Sequence, residues 1–246
     1  MAPAGGQVSM PRVTIVPSLV GQVYERILDE ICDGTLPANT RLIQDELAEA
    51  YEVSRQPVQQ AIMLLRDRGF VEDAPKRGVV VAELNVGLMR SAYEVREVLD
   101  GLSCRLAAER SDEQAEARGQ EIIARGREAI ASGSIARQIA EDIAFHQFVT
   151  ELSGNAVIEE AARPHWHHMR RIMGEVLRVE RNISADIWDE HAQILQAIVM
   201  KDAARAERLG RAHISRASAK FVSKLETMHE NANVERRKRT ASRSVR

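Results

Sequence analysis

The period of the apolar positions changes twice along this chain, and the two changes divide it into helical, strand-like and again helical stretches. From Ser18 to Asp33, Val20, Val23, Ile27 and Ile31 recur at intervals of three and four, the spacing of an amphipathic helix, and Gly34 closes it. Residues 44–69 hold two shorter helices. Leu47 and Ala48 mark the first, and Val58, Ile62 and Leu65 form the inner face of the second. Tyr51-Glu52-Val53 makes the turn between them, Ser54 is an N-cap, and Pro57 falls in the first helical turn, where its missing N–H breaks no bond. Phe70–Asp73 and Gly78–Val81 then read as short strands joined by the basic turn Ala74-Pro75-Lys76-Arg77. After Glu83-Leu84-Asn85 the strand signals stop and helical spacing resumes to about Met228.

Six helices are predicted there, at about 86–109, 112–131, 135–152, 156–178, 184–201 and 203–229. The breaks at Ser111, Ser132-Gly133-Ser134, Ser153-Gly154-Asn155, Asn182-Ile183-Ser184 and Lys201-Asp202 are short, which predicts an antiparallel bundle. The expected fold class is mostly α: an N-terminal winged helix-turn-helix with a small β wing, then an all-α antiparallel bundle.

The second short helix points to DNA. With Val58, Ile62 and Leu65 turned inward, Arg55, Gln56, Gln59 and Gln60 face outward near its N-terminus. A recognition helix presents its base-reading side chains there, and Arg and Gln match guanine and adenine edges. Lys76 and Arg77 at the wing tip suit phosphate contacts. Residues 1–83 hold 8 Lys+Arg against 12 Asp+Glu, a net of −4, so the positive potential has to be local, at Arg41, Arg55, Arg66, Lys76 and Arg77.

This stretch resembles the DNA-binding domain of the GntR family of bacterial transcription regulators. The matching residues are Gly34, Leu36-Pro37, Arg41-Leu42, Glu46-Leu47-Ala48, Val53-Ser54-Arg55, Pro57-Val58, Leu65, Gly69-Phe70 and Arg77-Gly78. The chain departs from the family at Ala38, where Gly is usual, and at Gln59-Gln60, where Arg-Glu is usual. The resemblance implies a DNA surface of Arg41, Ser54, Arg55, Gln56, Pro57, Gln59, Arg66, Lys76, Arg77 and Gly78. In the second half, Tyr93 to Asp100, Phe145-His146 and Glu190-His191 resemble the ligand-binding FCD-type domain of the FadR subfamily.

Composition narrows the setting. The chain has 246 residues, few aromatics (4%) and many helix formers. No apolar run reaches membrane-span length and none resembles a secretory signal, so a cytoplasmic protein with no membrane partner is expected. Cys32 and Cys104 are expected as free buried thiols. Residues 1–17, rich in Gly and Pro, are expected to be a flexible arm before a DNA-binding domain at 18–83 and a sensor domain at 86–229. Residues 230–246, basic in balance, are expected to be a disordered tail.

Four residues carry candidate metal chemistry. Asp142 and His146 are four apart and share a helix face. His191 and His213 are equidistant from Asp202, so helices folding back there bring them level, each about 16 Å from the turn. One carboxylate and three imidazoles suit a divalent transition metal: Zn, Ni, Mn or Fe, with Zn first. The resemblance implies the same four ligands, and it implies that Arg96 clamps an effector; an ion pair to Asp100 is the competing reading of Arg96. His165-Trp166-His167-His168 is read as structural or effector-lining, because consecutive helical positions diverge by about 100°.

The expected function is a homodimeric repressor of a palindromic operator, controlled by a small organic acid at or near the metal. The alternative is a metal-dependent helical-bundle enzyme with an appended DNA-binding domain. A di-iron bundle needs two Glu-x-x-His pairs, and only Glu226 with His229 has that spacing. A purely DNA-bending protein would leave the four-ligand set without purpose.

Overall fold

The computed structural model describes residues 18–75, 78–180 and 186–244. The expected arm at 1–17, the wing-tip residues Lys76 and Arg77, and the break at 182–184 lie outside the described residues.

The N-terminal unit is built from α1 (Leu19–Asp33), β1 (Arg41–Leu42), α2 (Gln44–Ala50), α3 (Arg55–Asp67), β2 (Val71–Ala74) and β3 (Gly78–Val81). Ser18 caps α1 by accepting from the Gly21 amide, and Gly34 ends it in the left-handed region at φ 83°. Val23, Ile27 and Ile31 of α1 meet Val58, Ile62 and Leu65 of α3 in one apolar core, closed by Phe70, Val71 and Val81. The wing has one strand more than the two predicted. β1 pairs antiparallel with β3, Arg41 opposite Val80, giving the order β1-β3-β2. A two-residue strand has no periodicity to read, so only the pairing reveals it.

Six helices follow: α4 (Val86–Arg110), α5 (Ala115–Ala131), α6 (Ile135–Leu152), α7 (Ala156–Glu180), α8 (Asp186–Val199) and α9 (Ala203–Ser244). Asn85 caps α4, accepting from the Leu88 amide, and Ser134 caps α6. The bundle has two apolar layers. One is centred on Trp188, Phe145 and Ile198, the other on Ile172, Met173, Ile214 and Leu225. α9 continues to Ser244, so the disordered tail expected from residue 230 is corrected to helix. Nothing in 230–244 is Gly or Pro, and Arg, Lys, Glu and Ala sustain helix.

The two units pack α1 against α7. Gly174 makes this possible: a Cβ there would stand 2.6 Å from the Cys32 carbonyl oxygen. Arg170 pairs with Asp29, and Arg171 donates to the Ala82 carbonyl. Phe70 of the winged unit stacks on His168, with centroids 4.5 Å apart and planes 9° apart. No helix among the described residues is long and apolar enough to cross a membrane.

Candidate functional site: a histidine centre and a DNA-reading face

α6, α8 and α9 each contribute one histidine to a single buried point. His191 Nε2 lies 3.2 Å from His213 Nε2, which lies 3.3 Å from His146 Nε2. All three residues are buried. The turn at Lys201-Asp202 folds α9 back on α8, so the level placement of His191 and His213 is realised. Asp142, one turn before His146, stands slightly further out, 4.0 Å from His146 Nε2 and 3.8 Å from His191 Nε2.

Two carboxylates set the tautomers. His146 Nδ1 is 2.9 Å from Asp100, and His213 Nδ1 is 2.7 Å from Glu190, whose other oxygen accepts from Arg216 at 2.6 Å. Burial pushes both carboxyls up, but Arg96 and His146 beside Asp100, and His213 and Arg216 beside Glu190, outweigh it and hold each at about 2. An ionised carboxylate only accepts, so each Nδ1 carries the N–H and each Nε2 is left with its lone pair. Burial lowers the pKa of His191 and His213, which keeps them neutral. The lone pairs therefore converge with the Asp142 carboxylate nearby, an arrangement that attracts a cation. Neutral imidazoles at about 2.0–2.1 Å from a tetrahedral ion would place their nitrogens roughly 3.3 Å apart, matching the His191–His213 and His213–His146 separations. The residues present fit a divalent metal, and carboxylates behind the imidazoles are the usual outer support of such ligands. His191 stacks on Phe145, with centroids 4.1 Å apart, and its Nδ1 has no hydrogen-bond partner among the described residues.

Glu190 and Asp100 as holders of the histidine tautomers are absent from the sequence reading. The adjacency of Glu190 to His191 was visible, but its reach to α9 was not. Arg96 is 2% exposed. It pairs with Asp100 at 3.3 Å and lies over the Trp166 ring at 4.8 Å, so the competing ion pair exists and links Arg96 through Asp100 to His146. The 165–168 run splits as its angular spread requires. Trp166 faces His146, 5.9 Å between centroids, while His168 faces the winged unit. Trp166 also lines a cleft of about 570 Å³ with Phe148 and Thr150.

On the winged unit, Arg55, Gln56 and Gln59 are exposed on α3. Arg55 pairs with Asp45 at 2.7 Å, with both side chains about two-thirds exposed, a contact worth little in water. Ser54 holds the N-cap backbone conformation but its side chain makes no capping bond, unlike the sequence expectation. Pro57 is buried. Its inclusion in the DNA surface is therefore corrected: it sits on the same turn as Val58 and faces the core. Arg66 reaches Asp73 at 2.9 Å. Arg41 is exposed on β1, and Gly78 opens β3 at φ 69° with nothing among the described residues within 4 Å of a built Cβ.

Comparison with known proteins agrees with both halves. The family described as "Bacterial regulatory proteins, gntR family" matches residues 19–81, and the "FCD domain" matches residues 91–216. The chain is 24% identical over 204 residues to the HTH-type transcriptional repressor RspR of Escherichia coli (strain K12), covering 80% of this chain and 86% of that protein. It is 26% identical over 192 residues to the HTH-type transcriptional regulator LutR of Bacillus subtilis (strain 168), covering 69% and 85%. The E. coli McbR/YncC structure superposes with a TM-score of 0.73 at 21% identity, covering 84% of this chain and 98% of that one. These curated relatives are transcriptional regulators, not enzymes, which removes the metalloenzyme alternative. The chain belongs to the GntR family of bacterial transcriptional regulators, with an N-terminal helix-turn-helix domain and a C-terminal FCD domain.

Proposed function

We propose that this protein is a homodimeric repressor whose operator affinity is set by a small carboxylate bound beside a divalent metal in the FCD domain. The observation that carries the reading is the convergence of His146, His191 and His213, with two Nδ1 atoms held by Asp100 and Glu190. In this reading Asp142 is the fourth ligand and the metal supplies a Lewis-acid position for carboxylate oxygens. Arg96, already buried and stacked on Trp166, orients the acid, and the cleft ending on Trp166 is its way in. Zinc is the first choice of metal, on the strength of three imidazoles.

Arg41, Ser54, Arg55, Gln56, Gln59 and Arg66, with Lys76, Arg77 and Gly78 of the wing, form the DNA surface. Gln59 in place of the family's arginine gives this chain its own operator sequence. Dimerisation is supported by α4, where Leu88, Val95 and Val98, at steps of seven and three residues along one helix face, are 46%, 46% and 51% exposed. Two chains joined there would present two reading heads to a palindrome in the cytoplasm. Acid binding would shift α4, and with it the head spacing, across the short link from β3.

The test uses full-length protein. Elemental analysis should find close to one transition-metal ion per chain, lost in His213→Ala. A titration of operator binding against a panel of carboxylates should show release by one of them, abolished in Asp142→Ala. Metal-free wild-type protein, or a full response in the Asp142→Ala, His146→Ala double variant, would refute the reading.

A further inference from the structure

α9 outruns the bundle it belongs to. It lies antiparallel along α4: Arg90 pairs with Glu226 at 2.7 Å, and built Cβ atoms at Gly101 and Gly210 would meet Arg211 and Cys104 across the pair. On that register Val86, the first residue of α4, is level with about residue 230 of α9. α9 continues to Ser244, so residues 230–244 extend past the start of α4 by about 22 Å at helical rise. α4 begins at the root of the wing, just after β3. The extension therefore leaves the bundle on the side of the winged unit, where Met228 and His229 share a cleft with Pro37, Ala38, Glu83 and Leu84. From Glu83 back to Gly78, where β3 opens, the chain spans about 17 Å, so the extension is long enough to match the length of the wing.

Packing does not account for this extension. Val234 is the single large apolar residue in 230–244, and it is 49% exposed. Without an apolar stripe the extension has nothing to bury against another helix or against a second copy of the chain. Residues 230–246 hold six Lys+Arg (Arg236, Arg237, Lys238, Arg239, Arg243 and Arg246) against Glu230 and Glu235, a net of +4. Glu235 is the last acidic residue of the chain, so carboxylates of the extension itself cannot neutralise the run. Complementing the helix dipole accounts for Arg243 in the last turn, but Arg236 to Arg239 stand more than a turn from the end. Residues 1–83, which contain the DNA-reading unit, carry a net of −4 and are short of general attraction for phosphates.

We propose that residues 230–246 are a second DNA-binding element, a basic helix that lies along the phosphate backbone beside the winged unit. The helix-turn-helix reads bases, and the extension holds the duplex by charge, without regard to sequence. Arg236, Arg239 and Arg243, at steps of three and four, fall on one face of the helix and can follow one strand of phosphates. Because α9 runs unbroken out of the bundle, an ordered helix presents these cations at the root of the wing. Neither the metal nor the effector enters this contact.

The experiment compares three full proteins: wild type, a chain ending at His229, and the variant Arg236→Gln, Arg237→Gln, Lys238→Gln, Arg239→Gln, in which glutamine keeps helix propensity and chain length. Two duplexes serve as probes, the one that wild type selects from a randomised pool and one of random sequence. Fluorescence anisotropy is read across a salt series. The glutamine variant should lose at least two phosphate contacts per chain, so log K against log salt becomes shallower by about 2 per chain bound. At low salt both altered proteins should bind at least about tenfold more weakly, by the same factor on the two duplexes, because phosphate contacts carry no sequence information. Melting temperature and oligomeric state should stay those of wild type. An unchanged salt slope in the glutamine variant overturns the proposal. Tighter binding by it also overturns the proposal, since the extension would then be covering the acidic winged unit rather than holding DNA. So does a loss confined to the selected duplex, which would make the extension a reader of bases, and so does a change of oligomeric state, which would make it a subunit contact. If the shortened chain melts lower, the full-length glutamine variant alone decides.

Discussion

Replacing Gly174 by alanine should separate sensing from DNA binding. The built Cβ meets the Cys32 carbonyl oxygen at 2.6 Å, and that oxygen is backbone at the end of α1, so it cannot rotate away. An ordinary carbon–oxygen contact is about 3.3–3.6 Å, so α1 and α7 must part by roughly 0.7–1 Å. Overpacking of this kind costs on the order of 1–3 kcal/mol. The strain falls on the junction made by Arg170 with Asp29, Arg171 with the Ala82 carbonyl, and His168 with Phe70. Gly174 belongs to neither the winged core nor the Trp188 layer, so both units should stay folded. Fluorescence anisotropy on the operator should give near-wild-type affinity without effector. The effector-induced change should fall at least fivefold, the loss of about 1 kcal/mol from a coupling that is ordinarily about 1–3 kcal/mol. Gly21→Ala, on the same α1 but with only Ser18 Oγ among the described residues near its built Cβ, at 3.3 Å, is the control. An undiminished effector response in Gly174→Ala with an unchanged melting temperature would refute the claim that the α1–α7 contact carries the coupling.

Three further outcomes are expected. Burial lowers the pKa of His168 to about 4, so the unfolded chain takes up this proton first as pH falls, and stability is lost from about pH 6.5 downward through 4. The loss should be on the order of 1–3 kcal/mol after allowance for partial solvent access, and absent in His168→Phe, which keeps the stack; parallel acid limbs in urea unfolding would contradict this. Glu190→Gln, which removes the charge behind His213 Nδ1, should weaken metal binding roughly 10–100-fold in a chelator competition, and equal affinity would remove Glu190 from the centre. Gly126→Ala should drive a Cβ to 2.0–2.3 Å from the fully buried Trp188 indole, whose edge packs on His191 at 4.8 Å. Calorimetry should find roughly 1–3 kcal/mol lost, together with lower metal occupancy, and a wild-type melting curve would show that Trp188 has room to move.

The sequence by itself determined the order of helices and strands, because burying one face imposes a period on each element and leaves it in the residue order. Val58, Ile62 and Leu65 announced an inward face, and so announced Arg55, Gln56 and Gln59 as outward. It also announced three of the residues that meet: the four-residue step to His146, and the equal distances of His191 and His213 from Asp202, are arithmetic on helical rise and a turn. Pro57 was misjudged because a motif match does not say which side of a helix a residue faces. The two-residue strand β1 was silent because it is too short to have a period.

Only the tertiary structure decided which carboxylates hold the imidazole tautomers, since Asp100 and Glu190 reach His146 and His213 across helix pairs whose rotation no local pattern encodes. The same is true of Gly174 under Cys32. Period fixes which way a side chain points from its own helix. What it meets there depends on the axial register and rotation of the neighbouring helix, and those are set by the packing of the whole core.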